Sequence, residues 1–189
     1  IEIDIINNST NFYLRFDGKK EKFFINGASR HNPLNAALSV AAAIYCGCPL
    51  SNIKKRLKFI DLPERRLAIS NSLNGSLLID DSYNSNPASL KNAVDSLEGL
   101  TRKKICILGD MKELGSDSQK IHQEMYEYIS ERVDQIFCIG DEWSTCSPNE
   151  KQDLSIFENQ DDLYSHLISI IDKKTILLVK GSRSTRMDL

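Results

Sequence analysis

Leu77-Leu78-Ile79-Asp80-Asp81-Ser82-Tyr83-Asn84-Ser85-Asn86-Pro87-Ala88-Ser89-Leu90 decides how most of this chain reads. Its first three residues are apolar and spell a short buried strand. Two carboxylates and a polar turn follow. Asn86-Pro87 then marks a helix start, because Asn caps orphan N–H groups and Pro suits the first helical position, where no N–H is needed. The order is strand, acidic and amide-rich turn, helix. In open α/β sheets, ligands bind at such carboxyl ends of strands. Side chains alternate along a strand, so Asp80 and Asp81 point to opposite faces and at most one meets a given ligand. That argues against a paired-carboxylate acid–base site. The competing local reading of the pair is a turn or helix-dipole role.

Downstream the same alternation repeats. Leu90, Val94, Leu97 and Leu100 form a helical stripe. Residues 104–108, KICIL, predict a strand ending in Gly109-Asp110. Ser116 and Gln119 match a capping box for a helix that buries Ile121, Met125, Ile129 and Val133. Residues 135–139 predict a strand ending in Gly140-Asp141, and 153–157 a short strand. Residues 161–171 predict a helix, and 175–179, TILLV, a last strand ending in Lys180-Gly181-Ser182-Arg183. Strands alternating with helices through short connections predict an α/β fold, a mostly parallel sheet covered on both faces.

Upstream the pattern differs. Residues 1–6, Phe12 to Phe16 and Lys22 to Ile25 read as strands, with Asp17-Gly18 a hairpin turn between the last two. Asn32-Pro33 opens an Ala- and Leu-rich helix that Gly47 stops, and its small share of polar surface predicts burial. A second helix runs from about Ser51, its expected cap, to Phe59, with Ile53, Leu57 and Ile60 as its apolar stripe. Charge separates the two parts. Residues 1–61 carry nine basic and five acidic residues, residues 62–189 fifteen and twenty-one. The change of sign places an expected domain boundary near Asp61-Leu62-Pro63.

The overall net charge of −2 offers no field for nucleic acid. No apolar run approaches the ~20 residues of a membrane span. Ile1 is not a natural start residue, so a longer parent chain is expected. Five cysteines, Cys46, Cys48, Cys106, Cys138 and Cys146, read as reduced structural thiols, since Cys46-Gly47-Cys48 has no partner pair. His31, His122 and His166 have no metal spacing. The turn from Gly109 to Gly115 lacks the middle glycine of a dinucleotide fingerprint. Lys180, Arg183 and Arg186 read either as an anion site or as a solvated basic tail.

Five stretches in order resemble the Mur ligase family. They are Arg30-His31-Asn32-x-x-Asn35-Ala36; Arg65-Arg66-Leu67; Asp80 to Pro87; Leu108-Gly109-Asp110-Met111-x-Glu113-Leu114-Gly115; and Val179-Lys180-Gly181-Ser182-Arg183-Ser184-x-Arg186-Met187. The D-D-S-Y-N and L-G-D-M-x-E-L-G runs resemble the branch that joins D-alanyl-D-alanine to UDP-N-acetylmuramoyl-tripeptide in peptidoglycan synthesis. The resemblance implies the end of a central ATPase domain at residues 1–61. It implies most of a Rossmann-like C-terminal domain at 62–189, lacking a last helix. It implies ATP and Mg²⁺ as cofactors, with the tripeptide carboxylate phosphorylated and the acyl phosphate then attacked by the dipeptide amine. His31, Asn32 and Asn35 are the residues implied to hold adenine, Arg66 to approach the phosphates, and Asp81 to take the ribose hydroxyls. Tyr83, Asn84, Lys180, Ser182, Arg183 and Arg186 are candidates to face the dipeptide or the phosphates. At Tyr83 some members have a lysine instead. The chain contains no G-x-x-x-x-G-K-[ST], so by itself it is expected to be inactive. A monomer in the bacterial cytoplasm is the expected setting. The alternatives are a stand-alone nucleotide-binding or regulatory module and a related ligase of the folyl-polyglutamate type.

Overall fold

The chain divides into two units, Ile1–Pro63 and Glu64–Leu189, each held together by its own contacts, in a computed structural model that describes residues 2–6, 9–26, 32–60, 65–148 and 154–187. In the first unit β1 (Glu2–Ile6), β2 (Ser9–Phe16) and β3 (Lys19–Asn26) form an antiparallel sheet in that order. Phe16 pairs with Lys19 around Asp17-Gly18, both at positive φ (47° and 72°), as a two-residue hairpin turn requires. Phe12 and Phe23 are cross-strand partners whose rings stack 5.3 Å apart. Against them pack α1 (Asn32–Tyr45) and α2 (Leu50–Leu57), through Ala37, Val40, Ile53 and Leu57.

Two expectations fail here. The first helix is not buried as a whole. Only Pro33, Ala37 and Val40 are, and Leu34, Leu38 and Tyr45 stay exposed, because β2, β3 and one helix cover a single stripe of it. Ser51 is not a cap. The second helix starts one residue earlier after Pro49, with no side-chain cap, and Ile60 is exposed.

The second unit holds a six-stranded sheet: β4 (Ala68–Asn71), β5 (Leu77–Asp80), β6 (Lys103–Gly109), β7 (Gln135–Ile139), β8 (Leu154–Phe157) and β9 (Thr175–Lys180). Their order across the sheet is β4-β5-β9-β6-β7-β8. Only the edge strand β4 runs antiparallel to its neighbour. One face carries α3 (Pro87–Asp95), α4 (Ser118–Ser130) and α5 (Asp141–Ser144), around Leu90, Val94, Met125, Ile129 and Trp143. The other carries α6 (Gln160–Ile170), around Leu163, Leu167, Ile105 and Leu177. The mostly parallel α/β sheet read from the sequence, and the Rossmann-like form that the resemblance implied, are therefore observed.

Local chemistry explains the element boundaries. Asn86 Oδ1 accepts from the Ser89 N–H at 2.8 Å, and the Asn86 N–H donates back to Ser89 Oγ at 3.1 Å, a reciprocal cap. The Ser116–Gln119 cap does not form. Residues Gly115–Asp117 make a 3-10 turn, α4 begins at Ser118, and Ser118 Oγ donates instead to Glu142 at 2.7 Å. From β6 the chain steps outward to β7 and β8, then returns across β6 to β9. That reversal puts a topological switch point between the carboxyl ends of β6 and β9, where doubly wound folds open a crevice.

Candidate functional site

The switch point itself is filled. A Cβ on Gly181 would stand 2.6 Å from both Thr185 Oγ1 and Met187 Cγ and 3.0 Å from the Gly109 Cα. The two glycines let β6 and β9 end side by side under the chain's own Thr185 and Met187. The Ser182 N–H donates to the Asp110 carbonyl at 3.0 Å, and the Lys112 N–H donates to Ser182 Oγ at 2.7 Å. The place where a dinucleotide fold takes its ligand is thus closed by protein atoms, which weighs against a stand-alone nucleotide module of that type. Ser182 is buried in this closure rather than presented to solvent.

The open site lies one strand over, at the carboxyl ends of β5 and β9. Asp80 and Asp81 part company there, as strand alternation requires. Asp80 Oδ1 accepts from the Ser82 N–H at 3.0 Å and its hydroxyl at 2.6 Å, closing the turn on itself. Asp81 turns the other way, and its carboxylate forms an ion pair with Lys180 Nζ. Lys180 comes from the end of β9, 2% exposed, and also donates to the Asn84 carbonyl at 2.8 Å. A buried ammonium with two such acceptors is a brace holding the D-S-Y-N turn to the next strand. Burial pushes the Asp81 carboxyl above its ordinary value, while Lys180, the Leu67 N–H and Arg66 pull it back. Burial likewise lowers the Lys180 ammonium, against the pull of Asp81.

Arg66 reaches this cluster on an unusual backbone. Its neighbours Arg65 and Leu67 have φ of 62° and 54°, a region that residues bearing a Cβ disfavour. Each is pinned. The Tyr83 N–H donates to the Arg65 carbonyl and the Leu67 N–H to Asp81 Oδ1, both at 3.1 Å. The exposed guanidinium of Arg66 lies 4.6 Å from the Tyr83 ring centroid, and that of Arg183 lies 5.4 Å from it. Asn84 is exposed and its amide oxygen accepts from the Ser85 N–H. The result is an acceptor-bearing carboxylate beside two solvent-facing guanidiniums, a set that suits hydroxyls and anions together.

Within this unit one sequence candidate, Arg186, does not join the cluster. Arg186 is exposed in a left-handed position, and its carbonyl accepts from Gln160 Nε2 at 2.8 Å. Asn32 and Asn35 stand in the first turn of α1 in the other unit, and Asn35 is exposed. His31 lies outside the described residues. The interaction that sequence reading missed is the Lys180–Asp81 brace. Its partners are 99 positions apart, and the one available signal was an acidic strand end and a basic one in the same sheet.

The remaining titratable groups build structure. His122 is fully buried. Its Nε2 accepts from the Met111 N–H at 3.1 Å, which leaves the proton on Nδ1, 2.8 Å from the Ser118 carbonyl. Burial pushes the Cys106 thiol up to about 12 and Cys146 to about 11, so neither is a nucleophile near neutrality. A cavity of 240 Å³ on the α6 face is lined by Leu73, Leu78, Leu163, Leu177 and Met187 and touches none of the candidate residues.

Residues 65–183 match the family model of the Mur ligase, glutamate ligase domain. The UDP-N-acetylmuramoyl-tripeptide–D-alanyl-D-alanine ligase of Bacillus subtilis is 29% identical over 194 residues, covering 98% of this chain and 42% of that protein. A crystal structure of MurF from Acinetobacter baumannii matches with a TM-score of 0.82 at 30% identity, over 99% of this chain and 42% of its own. A MurF ligase from Thermotoga maritima, solved in complex with ADP, matches at 0.79 and 21% identity, over 100% and 43%, a likeness of fold alone. The chain spans about two-fifths of the length of these proteins. The matched segment makes up most of the chain and contains Arg66, Asp81, Tyr83, Lys180 and Arg183. This chain belongs to the Mur ligase family.

Proposed function

We propose that this chain is part of an ATP-dependent, ADP-forming ligase that joins D-alanyl-D-alanine to UDP-N-acetylmuramoyl-tripeptide in peptidoglycan synthesis. The observation that carries the reading is the Arg66–Asp81–Tyr83–Lys180 cluster at the open strand ends, inside the segment that matches the family. Asp81 has one oxygen on the Leu67 N–H and the other on Lys180, and a carboxylate's remaining lone pairs accept two further donors, such as ribose hydroxyls. Arg66 supplies charge toward phosphates. Asn32 and Asn35, with His31, are the adenine contacts in this reading, and Asn84, Arg183 and Arg186 face the dipeptide or the phosphates. The bound form of MurF from Thermotoga maritima, an ADP complex, fits a nucleotide in this role.

The reaction class phosphorylates a carboxylate, and an amine then displaces phosphate to leave an amide, ADP and phosphate. Charge on the transferring phosphoryl group calls for cations. Among the described residues no group of three or more His, Cys, Asp or Glu could hold a metal ion. In this reading the Mg²⁺ ligands lie outside them, and this chain contributes orientation and guanidinium charge. No helix among the described residues is long and apolar enough to cross a membrane. A monomeric enzyme of the bacterial cytoplasm completes the proposal.

Phosphate release by the full-length parent tests it, with D-alanyl-D-alanine set against D-alanine, L-lysine and L-glutamate as acceptors. Release with the dipeptide alone is expected. Release with a single amino acid and not the dipeptide overturns the assignment. The 189 residues by themselves contain no phosphate-cradling G-x-x-x-x-G-K-[ST] and are proposed to be inactive, so turnover by this exact chain refutes that part.

A further inference from the structure

Tyr83 is a large aromatic residue left 41% exposed at the carboxyl end of β5, and two guanidiniums rest on it. They arrive from distant parts of the unit: Arg66 precedes β4 and Arg183 follows β9. Both are exposed, and neither forms an ion pair with a carboxylate among the described residues. Lys180, the third cation of the cluster, is already matched by Asp81. Like charges brought to one ring repel each other, and the ring's negative face offsets that only in part. On the Arg66 side the arrangement is also held against backbone preference. Two left-handed residues flank it, fixed by hydrogen bonds to Tyr83 and Asp81. Two surface arginines that merely cover an aromatic ring need neither the strain nor the pins.

We propose that Tyr83 mounts Arg66 and Arg183 as the two arms of one oxyanion clamp, which takes a phosphate or a peptide carboxylate. Each guanidinium presents a planar fork that matches either group in a bidentate way. Both guanidinium carbons lie within 5.4 Å of one ring centroid, and an anion bridging the two would offset the repulsion between them. Tyr83 is then a positioning residue that acts through the two arginines. Its ring carries no charge of its own, so the cationic contacts here come from the arginines that rest on it. The inference deepens the ligase reading and rests on it only for which of the two anions is the natural one.

The test uses the side-chain Nε–Hε signals of arginine in the 189-residue chain, titrated separately with inorganic pyrophosphate and with D-alanyl-D-alanine. One of the two is expected to shift the Arg66 and Arg183 signals together. Pyrophosphate identifies the nucleotide arm and the dipeptide the acceptor carboxylate. Arg183→Ala and Tyr83→Ala are each expected to weaken that binding about tenfold. Tyr83→Phe keeps the ring and retains binding within ~2-fold, an outcome that a merely structural tyrosine hydroxyl does not give. Amide spectra of each variant establish that it folds. An anion that moves Arg66 alone, or neither arginine at about 10 mM, overturns the clamp. So does wild-type binding by folded Tyr83→Ala, or loss of binding in Tyr83→Phe. A clamp that binds in a parent enzyme releasing no phosphate with the dipeptide overturns the ligase reading instead. An active parent whose Arg183 does not respond leaves that reading standing without the clamp.

Discussion

Two strand ends in the second unit look alike in sequence and do opposite things. At one, Ile79-Asp80-Asp81 ends β5. At the other, Leu108-Gly109-Asp110 ends β6. Asp110 is sealed in. Its carboxylate bonds Lys112 Nζ at 2.9 Å, Trp143 Nε1 donates to the neighbouring Gly109 carbonyl at 3.0 Å, and the Gly140 backbone lies against it. His122 stacks edge-on to Trp143 at 4.7 Å and holds the Met111 N–H. Asp81 also has a lysine, yet Arg66, Tyr83 and Arg183 beyond it face solvent. An acidic residue after a strand is therefore a weak functional signal by itself. What separates the two ends is the next layer: an indole and a buried imidazole close one, and exposed guanidiniums leave the other open.

Four variants break or sharpen this contrast, the largest effect first. Trp143→Ala empties the centre of the sealed end and frees the Gly109 carbonyl. It is expected to cost about 4 kcal/mol in chemical denaturation, with the Tyr83–arginine cluster unchanged in spectra of the folded protein.

Lys180→Met is next, at about 3 kcal/mol, because it leaves the half-buried Asp81 carboxylate without its ammonium. Its pH dependence sharpens the point. Asp81 has a folded value above the ordinary 3.8, so the folded protein keeps a proton that the unfolded chain has lost. Its contribution to stability therefore falls as pH rises from 3.8 through the raised value. Without Lys180 the carboxyl rises further. The variant's deficit is expected to shrink on acidification, as urea midpoints at acidic and neutral pH will report. A deficit independent of pH contradicts the pairing.

Gly140→Ala acts on the sealed end alone. A Cβ there meets the Asp110 carboxylate at 2.3 Å on a backbone at φ 130°. A loss of about 2 kcal/mol is expected from crowding and strain, read as a lowered thermal midpoint with no change in anion binding. Arg66→Ala is the mirror case. It is exposed, so its effect on stability is expected to stay within about 0.5 kcal/mol, while nucleotide affinity of the parent falls about tenfold. An Arg66→Ala protein that binds nucleotide normally places the phosphate contact elsewhere.

Much of this was legible before any coordinates. The order of strands and helices came from apolar periodicity. The start of α3 came from Asn86-Pro87, and the stop of α1 from Gly47, which lies at φ 78°. The division of labour between Asp80 and Asp81 came from strand alternation. Each rests on neighbours within a few residues, where backbone geometry leaves few choices. Other signals misled for the same local reason. Ser116–Gln119 has the spacing of a cap, but Glu142 from another element took the nearby Ser118 hydroxyl. The apolar first helix looked buried, but burial depends on what packs against it.

The sequence by itself determined a parallel α/β unit with polar turns at its strand ends, because periodicity and capping are short-range physics. Only the tertiary structure decided which ends are open. Lys180 reaches Asp81 across 99 positions, Arg66 and Arg183 converge on Tyr83 from opposite ends of the unit's sequence, and Thr185 and Met187 close the switch point over Gly109 and Gly181. Those contacts follow from strand order, and strand order is a property of the folded sheet.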